Sequence, residues 1–438
     1  MAGLVAAAGA KAQKTCRMSK IHVIGAGLAG LAASLSLTRA GRAVVLHEAG
    51  PAAGGRCRSY YDKELELRID NGNHLLLSGN TAARAYIAEI GAADRFNVSD
   101  EAVFPFLDLK TGERWTVRPN KGRIPWWILS ADRRVPDTRL SDYWALARIA
   151  RCRDDTAVAE SMRRGRLFWR LVEPIAVAAL NTSTRHGLAR LFGAVMRETL
   201  LKGGRACRPM LPKEGLSEAL IDPAVETLRQ RGAEIRLNSH IAEVAVESGA
   251  VTRLRGPEGP IELESSDAVV LAVPARVAAE LLPGLMAPDD FEAILNVHFR
   301  YQADPRGPLG ETGFIGLISG TAEWVFMKPG HVSVTISAAN RMVDESAREI
   351  AKEVWPNVAD ALGLTKAEKD EMPPYRVVKE RRATFAATAE QDARRPQQRT
   401  NIAANLALAG DWTATGLPAT IEGAIKSGRI AADVILSV

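Results

Sequence analysis

Residues 21–40 read IHVIGAGLAGLAASLSLTRA, a short apolar run that leads through glycines into a stretch rich in alanine and leucine. The apolar run at 21–24 predicts a buried strand, and residues 28–40 predict a helix that ends at Gly41. Residues 43–46 repeat the apolar pattern of a buried strand. A strand, a helix and a second strand in this order predict a parallel sheet, and therefore an α/β domain.

The glycines between the first strand and the helix form the pattern G-x-G-x-x-G. Gly25 permits the tight turn out of the strand, Gly27 lets the backbone approach a pyrophosphate, and Gly30 lets the helix pack closely on the sheet. The helix that begins with Leu28 and Ala29 offers free N–H groups and the positive end of its dipole to phosphates. The loop therefore predicts a dinucleotide site.

Two features after the second strand extend this site. Glu48 ends the strand, where a carboxylate accepts hydrogen bonds from ribose hydroxyls and repels a 2′-phosphate, which disfavours NADP. The alternative for Glu48 is a solvated acid at a strand end. In the next loop, Gly54 and Gly55 expose the backbone for phosphate contact, and Arg56 is suited to pair with phosphate or to lie at the edge of a flavin ring. The alternative is an ordinary glycine turn with a surface arginine.

The order Glu–x₅–Gly-Gly-Arg resembles the FAD-binding amine oxidase and phytoene desaturase superfamily. DNGNHLLLSG at 70–79 resembles the segment that lies beneath the flavin in that superfamily, and LAGDW at 408–412 with GLPATIEGA at 416–424 resembles its C-terminal segment. The resemblance implies FAD as cofactor and a Rossmann-like FAD domain with an inserted α+β substrate domain. It also implies further cofactor-binding residues: Ile241 on the adenine side, Gly410 and Asp411 at the ribityl chain or a phosphate, and Thr420 and Ile421 at a helix N-terminus facing the flavin.

Within this superfamily the order of segments is most similar to that of the hydroxysqualene dehydroxylases. The resemblance rests on HEAGPAAGGRCRSYYD, IDNGNHLLLSGN, LNTSTRHGLARLF, GTAEWVF and AGDWTATGLPATIEGAIKSGR. It implies an apolar C30 isoprenoid alcohol as substrate, which loses its allylic hydroxyl and receives a hydride from reduced FAD to give squalene. Two alternatives are a carotenoid or phytoene desaturase and a non-catalytic prenyl-lipid carrier, although carriers of this fold lose the flavin-binding residues.

Two histidines are candidates for the acid that protonates the leaving hydroxyl. His74 lies in the segment expected near the flavin and has an ordinary pKa suited to proton transfer. The alternative for His74 is a structural ring bonded to backbone. His186 precedes a predicted helix, and its alternative is a residue of the helix cap.

The 438 residues are too many for one ordinary core and predict two interleaved domains. Residues 81–202 are predicted to be mainly helical, 241–246 to be a strand, and 313–337 to be an antiparallel meander. The predicted layout is a disordered tail at 1–17 with Met18 as an alternative start, an FAD domain at 18–80, 203–290 and 400–438, and a substrate or membrane-facing domain at 81–202 and 291–399.

The composition of the chain indicates which binding partners and which cellular compartment to expect. The net charge of +6 comes without a block of basic residues, so no nucleic acid is expected, and four scattered cysteines argue against a metal site and for a reducing, cytoplasmic setting. No apolar run approaches the ~18–20 residues of a membrane span. IPWWIL at 124–129 suits a membrane interface or a cavity lining, and residues 168–169 and 190–202 are candidates for the same face. The hypothesis is therefore peripheral contact with the inner face of the membrane, while the electron donor stays unidentified.

Overall fold

The computed structural model describes residues 19–437, so the predicted tail at 1–17 and Met18 lie outside the described residues. Within the described range, no helix is both long and apolar enough to cross a membrane. The strands are β1 (Lys20–Ile24), β2 (Ala43–His47), β3 (Ser59–Asp62), β4 (Leu67–Asp70), β5 (Leu76–Leu77), β6 (Phe96–Val98), β7 (Phe104–Asp108), β8 (Arg114–Val117), β9 (Pro209–Pro212), β10 (Glu234–Arg236), β11 (Glu243–Glu247), β12 (Ala250–Gly256), β13 (Gly259–Glu262), β14 (Ala268–Leu271), β15 (Phe291–Phe299), β16 (Phe314–Ile318), β17 (Trp324–Lys328), β18 (His331–Ile336), β19 (Tyr375–Phe385) and β20 (Leu406–Leu408).

The helices pack on the parallel sheet, on one face of a second sheet, and in a helical layer beside them. The α-helices are α1 (Leu28–Arg39), α2 (Thr81–Glu89), α3 (Trp144–Arg151), α4 (Val158–Ser161), α5 (Glu173–Leu180), α6 (Ala189–Glu198), α7 (Asp222–Gln230), α8 (Ala275–Leu281), α9 (Ala347–Leu362), α10 (Lys366–Asp370), α11 (Ala389–Ala393) and α12 (Ile421–Leu436). Two π turns, Phe168–Val172 and Ser217–Ile221, lead into α5 and α7, and 3₁₀ turns cover Ala93–Arg95, Trp126–Leu129, Leu140–Tyr143, Leu200–Lys202, Gly204–Ala206 and Ala339–Arg341.

A five-stranded parallel sheet in the order β10-β2-β1-β14-β20 forms the first core. Ile21 in the central strand pairs with Val44 on one side and Ala268 on the other. The predicted α/β fold is therefore confirmed. α1 and α12 pack against each other so closely that a Cβ at Gly428 would lie 2.1 Å from the backbone oxygen of Ala29. This contact holds the last helix beside the glycine loop.

A seven-stranded sheet in the order β19-β15-β18-β17-β16-β7-β8 forms the second core. Its strands β16, β17 and β18 are antiparallel neighbours, which confirms the predicted meander. α9 covers one face, where residues such as Leu295, Val334 and Trp355 are buried. The other face looks towards α3, α5 and α6 across a cavity.

Three predictions about segments are corrected. Residues 81–202 hold the predicted helices α2 to α6, but β6, β7 and β8 also lie there, and two of these strands complete the seven-stranded sheet. The strand predicted at 241–246 begins at Glu243, and it joins β12 and β13 in a separate small sheet. Residues 190–202 do not form a membrane-facing surface as a whole, since Leu191, Phe192 and Met196 are buried in the helical core.

The two large sheets draw on different parts of the chain. The parallel sheet takes strands from residues 20–47, 234–236, 268–271 and 406–408, whereas the seven-stranded sheet takes its strands from residues 104–117 and 291–385. We propose on this basis that the chain divides into an FAD domain and an inserted domain with the bounds predicted above.

Candidate active site

One continuous cavity of about 790 Å³ begins at the carboxyl ends of the parallel strands and reaches between the seven-stranded sheet and the helices. Ligands of open parallel sheets bind at these strand ends, because the loops that leave the strands meet there. The cavity brings together nearly every predicted cofactor residue: Gly25, Gly27, Leu28, Ala29, Glu48, Gly54, Gly55, Arg56, Ile241, Gly410, Asp411, Thr420 and Ile421.

The glycine loop has the geometry of a phosphate cradle. Gly25 adopts a φ of +103°, and a Cβ there would lie 2.5 Å from the backbone oxygen of Ala272. Gly27 is the N-cap of α1 and has no atom within 4 Å of its Cβ position, while no side chain caps the helix. The first N–H groups of α1 therefore face open space and fit a pyrophosphate. Gly30 lies outside the cavity lining, where a Cβ would lie 1.9 Å from the oxygen of Gly25.

The carboxylate of Glu48 is fixed at the end of β2. Its Oε2 accepts a hydrogen bond from the backbone N–H of Ala26 at 2.8 Å, and its Oε1 accepts one from Gly50 at 2.8 Å. Each carboxylate oxygen has further lone pairs, so both can still accept from ribose hydroxyls. The residues at this end of the cavity fit the adenosine half of a dinucleotide.

Arg56 and Asp411 form an ion pair across the middle of the cavity, with Nη2 and Oδ1 2.7 Å apart. Asp411 raises the pKa of Arg56, so the guanidinium stays charged. Arg56 also donates to the backbone oxygen of Ala383, which joins the glycine-containing loop after β2 to β19. The loop after β20 is held by Arg395, a buried residue that donates to the Asp411 backbone oxygen at 3.3 Å. Sequence reasoning missed Arg395 because no motif marks it.

The N-terminus of α12 lies at the cavity wall. Thr420 caps the helix by accepting from the backbone N–H of Gly423 at 3.0 Å, and Ile421 is the first helical residue. The carboxylate of Glu422 accepts from the N–H groups of Ala82 and Ala83, each at 2.8 Å, and thereby caps α2. These contacts fix the direction of the α12 dipole towards the cavity.

Asp70 and Lys328 form a buried ion pair behind the cavity. Nζ and Oδ2 are 3.0 Å apart, and each side chain is 5% exposed. Asp70 also accepts from the Ser59 hydroxyl at 2.7 Å and the Leu216 backbone N–H at 2.9 Å. Burial raises the pKa of Asp70, but Lys328 and these hydrogen bonds outweigh it and lower the pKa below its ordinary value. The first residue of the DNGNH segment therefore ties the two-stranded sheet of β3 and β4 to the seven-stranded sheet.

The two predicted acids differ in position. His74 lines the cavity, and its Nδ1 lies 3.2 Å from the carbonyl oxygen of Gly72, which can only accept. Burial lowers the pKa of His74, so the ring is neutral and presents Nε2 as an acceptor rather than a proton donor. His186 is exposed, contacts Ser183, and is not part of the cavity lining, so the structure does not bring it to the site.

A strip of polar side chains crosses the cavity face of the seven-stranded sheet. Asn73 donates through Nδ2 to the hydroxyl oxygens of Ser333 at 2.7 Å and Thr335 at 3.1 Å. Thr335 in turn donates to Oδ1 of Asn296 at 2.9 Å. The strip places hydrogen-bonding groups on one wall, next to the DNGNH segment.

Most of the remaining cavity wall is apolar. Among residues 19–437, no group of three or more His, Cys, Asp or Glu side chains is arranged to hold a metal ion. Aliphatic and aromatic side chains from β7, β8, β17 and the helices form the walls, including Leu75, Phe104, Val117, Trp127, Leu146, Leu171, Val172, Ile175, Phe192, Val195, Met196, Leu200, Trp324 and Phe326.

The segment 124–129 lies partly in this cavity and partly on the surface. Trp127 is buried and lines the cavity, whereas Ile124, Trp126 and Leu129 are 79%, 51% and 68% exposed. Trp127 packs edge-on against Tyr143 at 5.4 Å, and the next residue, Trp144, is 74% exposed. The cavity-lining interpretation therefore applies to Trp127, while the membrane-interface interpretation of the exposed side chains stays a prediction.

Residues 28–436 match the family described as flavin containing amine oxidoreductase. A hydroxysqualene dehydroxylase from Sinorhizobium fredii is 47% identical over 95% of this chain and 98% of its own length. One from Rhodopseudomonas palustris is 46% identical, with 96% of this chain and 99% of that protein covered. The chain belongs to the hydroxysqualene dehydroxylase family of flavin containing amine oxidoreductases. It is therefore an oxidoreductase with a flavin cofactor.

More distant proteins agree with the fold of this family. An oxidoreductase from Methanosarcina mazei has a TM-score of 0.71 at 16% identity, covering 94% of this chain and all of that one. A 15-cis-phytoene desaturase from an Oncidium hybrid cultivar is only 23% identical over 95% of this chain and 78% of its own length. The phytoene desaturases are thus related at a distance, and the similarity to the dehydroxylases is much greater.

Proposed function

We propose that the protein is an FAD-dependent enzyme that reduces hydroxysqualene to squalene. The observation that carries this proposal is the single cavity, which joins a dinucleotide cradle to a long apolar chamber. A C30 isoprenoid alcohol is almost wholly apolar, so its binding requires such a chamber. The family to which the chain belongs supports the choice of this alcohol over a carotene.

We propose FAD in particular because the cradle is long enough to offer partners to both halves of a dinucleotide. The α1 N-terminus with Gly25 and Gly27 would hold the pyrophosphate, Glu48 the adenosine ribose, and the 410–421 segment the ribityl chain and ring. FMN has no second nucleotide for Glu48 to bind. When bound and reduced, the flavin supplies a hydride.

The chain's own residues would prepare the substrate for this hydride. The apolar walls exclude water that would recapture an allylic cation, and they align the isoprenoid chain along the cavity. Asn73, Asn296 and Thr335 offer the leaving hydroxyl its hydrogen-bonding partners on one wall. A non-catalytic carrier is less well supported, because the cofactor-binding residues that such carriers lose are all present here.

We further propose that the enzyme takes its substrate from a membrane surface through the segment 124–129. Its exposed side chains Ile124, Trp126 and Leu129 suit the interface, and Arg133 lies over the Trp126 ring at 5.1 Å. Because Trp127 of the same segment lines the cavity, this surface adjoins a route from lipid into the chamber.

The function is tested with purified protein that is loaded with FAD, reduced and kept anaerobic. Incubation with hydroxysqualene is expected to give squalene together with oxidised flavin in equal amounts. In parallel, the oxidised protein is incubated with phytoene, which is expected to stay unchanged. Untouched hydroxysqualene with desaturated phytoene would establish the desaturase alternative, and a protein that cannot be loaded with FAD would establish the carrier.

A further inference from the structure

The proposed reaction needs a proton as well as a hydride, and the cavity limits where the proton can come from. The hydroxyl leaves as water only if it is protonated, yet bulk water in the cavity would capture the resulting cation. The proton must therefore come from a fixed side chain. His74 is not assigned this role, because burial lowers the pKa of its ring and its Nδ1 faces the Gly72 carbonyl oxygen.

Ser337 and Glu323 form a second polar group at the cavity wall, beyond the strip of Asn73 and Thr335. Ser337 follows the last residue of β18, lines the cavity and is 6% exposed. Its backbone N–H donates to Oε2 of Glu323 at 2.8 Å, so the Ser337 side chain is held beside that carboxyl group, and it lowers the carboxyl pKa. A carboxyl group thus lies directly behind a hydroxyl that faces the substrate chamber.

This pair is linked to the flavin side of the cavity. The backbone N–H of Ala338 donates to Oδ1 of Asn181 at 2.7 Å, and Nδ2 of Asn181 donates to the Thr384 hydroxyl at 2.9 Å. Thr384 follows Ala383, whose carbonyl oxygen holds Arg56. Ser337, Asn181, Thr384 and Arg56 all line the same cavity, so this chain of contacts runs along its wall from the hydroxyl to the proposed cofactor site.

The groups that face Glu323 come from three elements. Ser337 approaches from the end of β18, Arg341 from the 3₁₀ turn after it, and Glu173 from the first turn of α5. The pKa of Glu323 is raised to about 7, mainly because the carboxyl group is buried. Glu173 adds to this rise, whereas the Ser337 hydrogen bonds and Arg341 oppose it. Burial also raises the pKa of Glu173, which accepts from the Thr184 hydroxyl at 3.1 Å.

We propose that the Ser337 hydroxyl is the catalytic proton donor to the leaving hydroxyl, and that Glu323 is the positioning residue that replaces the proton. This inference rests on the proposed function. The Ser337 O–H proton passes to the substrate oxygen while the Glu323 carboxyl proton passes to the Ser337 oxygen. The C–O bond breaks, water leaves, and the allylic carbon receives the hydride of the reduced flavin, which is oxidised. Glu323 remains as a carboxylate and is protonated again from solvent on the Glu173 side.

The first test is the pH dependence of squalene formation in a single anaerobic turnover of the reduced holoenzyme. In the wild type the rate is expected to fall above pH 7, because the carboxyl form of Glu323 is lost. Glu323→Gln keeps an acceptor for the Ser337 N–H, and it is expected to lower the rate at pH 6 by about 100-fold and to abolish the alkaline fall. Ser337→Ala is expected to lower the rate similarly, and Ser337→Thr to restore it. Glu258→Gln, which changes an exposed carboxylate in the turn between β12 and β13, is expected to match the wild type.

Glu198 is the competing donor, since it also lines the cavity and burial raises its pKa. If Glu198→Gln removes the alkaline fall while Glu323→Gln keeps it, the proposal is overturned. A wild type that converts no hydroxysqualene at any pH contradicts the proposed function instead.

A second readout does not depend on turnover. Infrared titration of the resting holoenzyme is expected to show a protonated carboxyl band that disappears near pH 7 and is missing from Glu323→Gln. A spectrum in which this band is unchanged by the substitution would show that Glu323 is ionised, and the proton route would be excluded.

Discussion

At the scale of single residues, the Asp70–Lys328 pair is the most sensitive point behind the site. Both side chains are 5% exposed, so an isolated charge at either position would be costly. Lys328→Met is expected to lower the free energy of unfolding by about 3–5 kcal/mol, measured by urea denaturation of the holoenzyme. The matched control is Arg300→Met, whose partner Glu66 is 66% exposed, and it is expected to cost at most about 1 kcal/mol. Equal effects of the two substitutions would contradict the account.

The stabilisation of the folded protein by the Asp70–Lys328 pair changes with pH in a predictable direction. The folded-state pKa of Asp70 is below its ordinary value, so the pair stabilises the protein above the ordinary carboxyl range and this stabilisation is lost as the pH falls through the folded-state pKa. Lys328→Met should therefore destabilise the protein most near neutral pH and progressively less in acid.

A substitution at Glu48 tests whether the bound cofactor is FAD or a smaller flavin. Glu48→Ala removes the charged acceptor for the ribose, and such a hydrogen bond contributes about 1.5–3 kcal/mol. The dissociation constant for FAD is expected to rise by at least about tenfold, measured by quenching of flavin fluorescence during titration of the apoprotein. FMN, which lacks the adenosine, serves as the control ligand and should bind the variant and the wild type alike. An unchanged FAD affinity would remove Glu48 from the ribose site.

At the scale of elements, the 3₁₀ turn Trp126–Leu129 joins the surface to the cavity. Replacing Ile124, Trp126 and Leu129 together by serine is expected to weaken binding to vesicles of anionic lipid by at least about tenfold in flotation, because it removes exposed apolar area from the interface. Tyr61→Ser, an exposed aromatic position in β3, is the control and should float like the wild type. If the triple variant floats normally while retaining its flavin, the membrane contact lies elsewhere.

At the scale of the whole molecule, the features that could be predicted from the sequence are those that a short, contiguous motif encodes. The glycine loop, Glu48 and the C-terminal Gly410-Asp411 segment each carry their own pattern, and the cavity brings them together. The strands β15 and β19 and the sheet position of β7 were not predicted, because they depend on pairing partners distant along the chain. Arg395 and Glu323 were missed for the same reason. For Glu323, the one signal in the sequence is its place in GTAEWVF, just before an apolar strand.

The central claim is that one cavity delivers a flavin hydride to an isoprenoid alcohol. The most direct measurement is a single anaerobic turnover of the reduced holoenzyme with hydroxysqualene in deuterium oxide, followed by mass spectrometry of the hydrocarbon product. The flavin N5 hydrogen exchanges with solvent, so the expected product is squalene that contains one deuterium at the former alcohol carbon. Squalene without deuterium, or recovery of the unreacted alcohol from fully reduced enzyme, would contradict it.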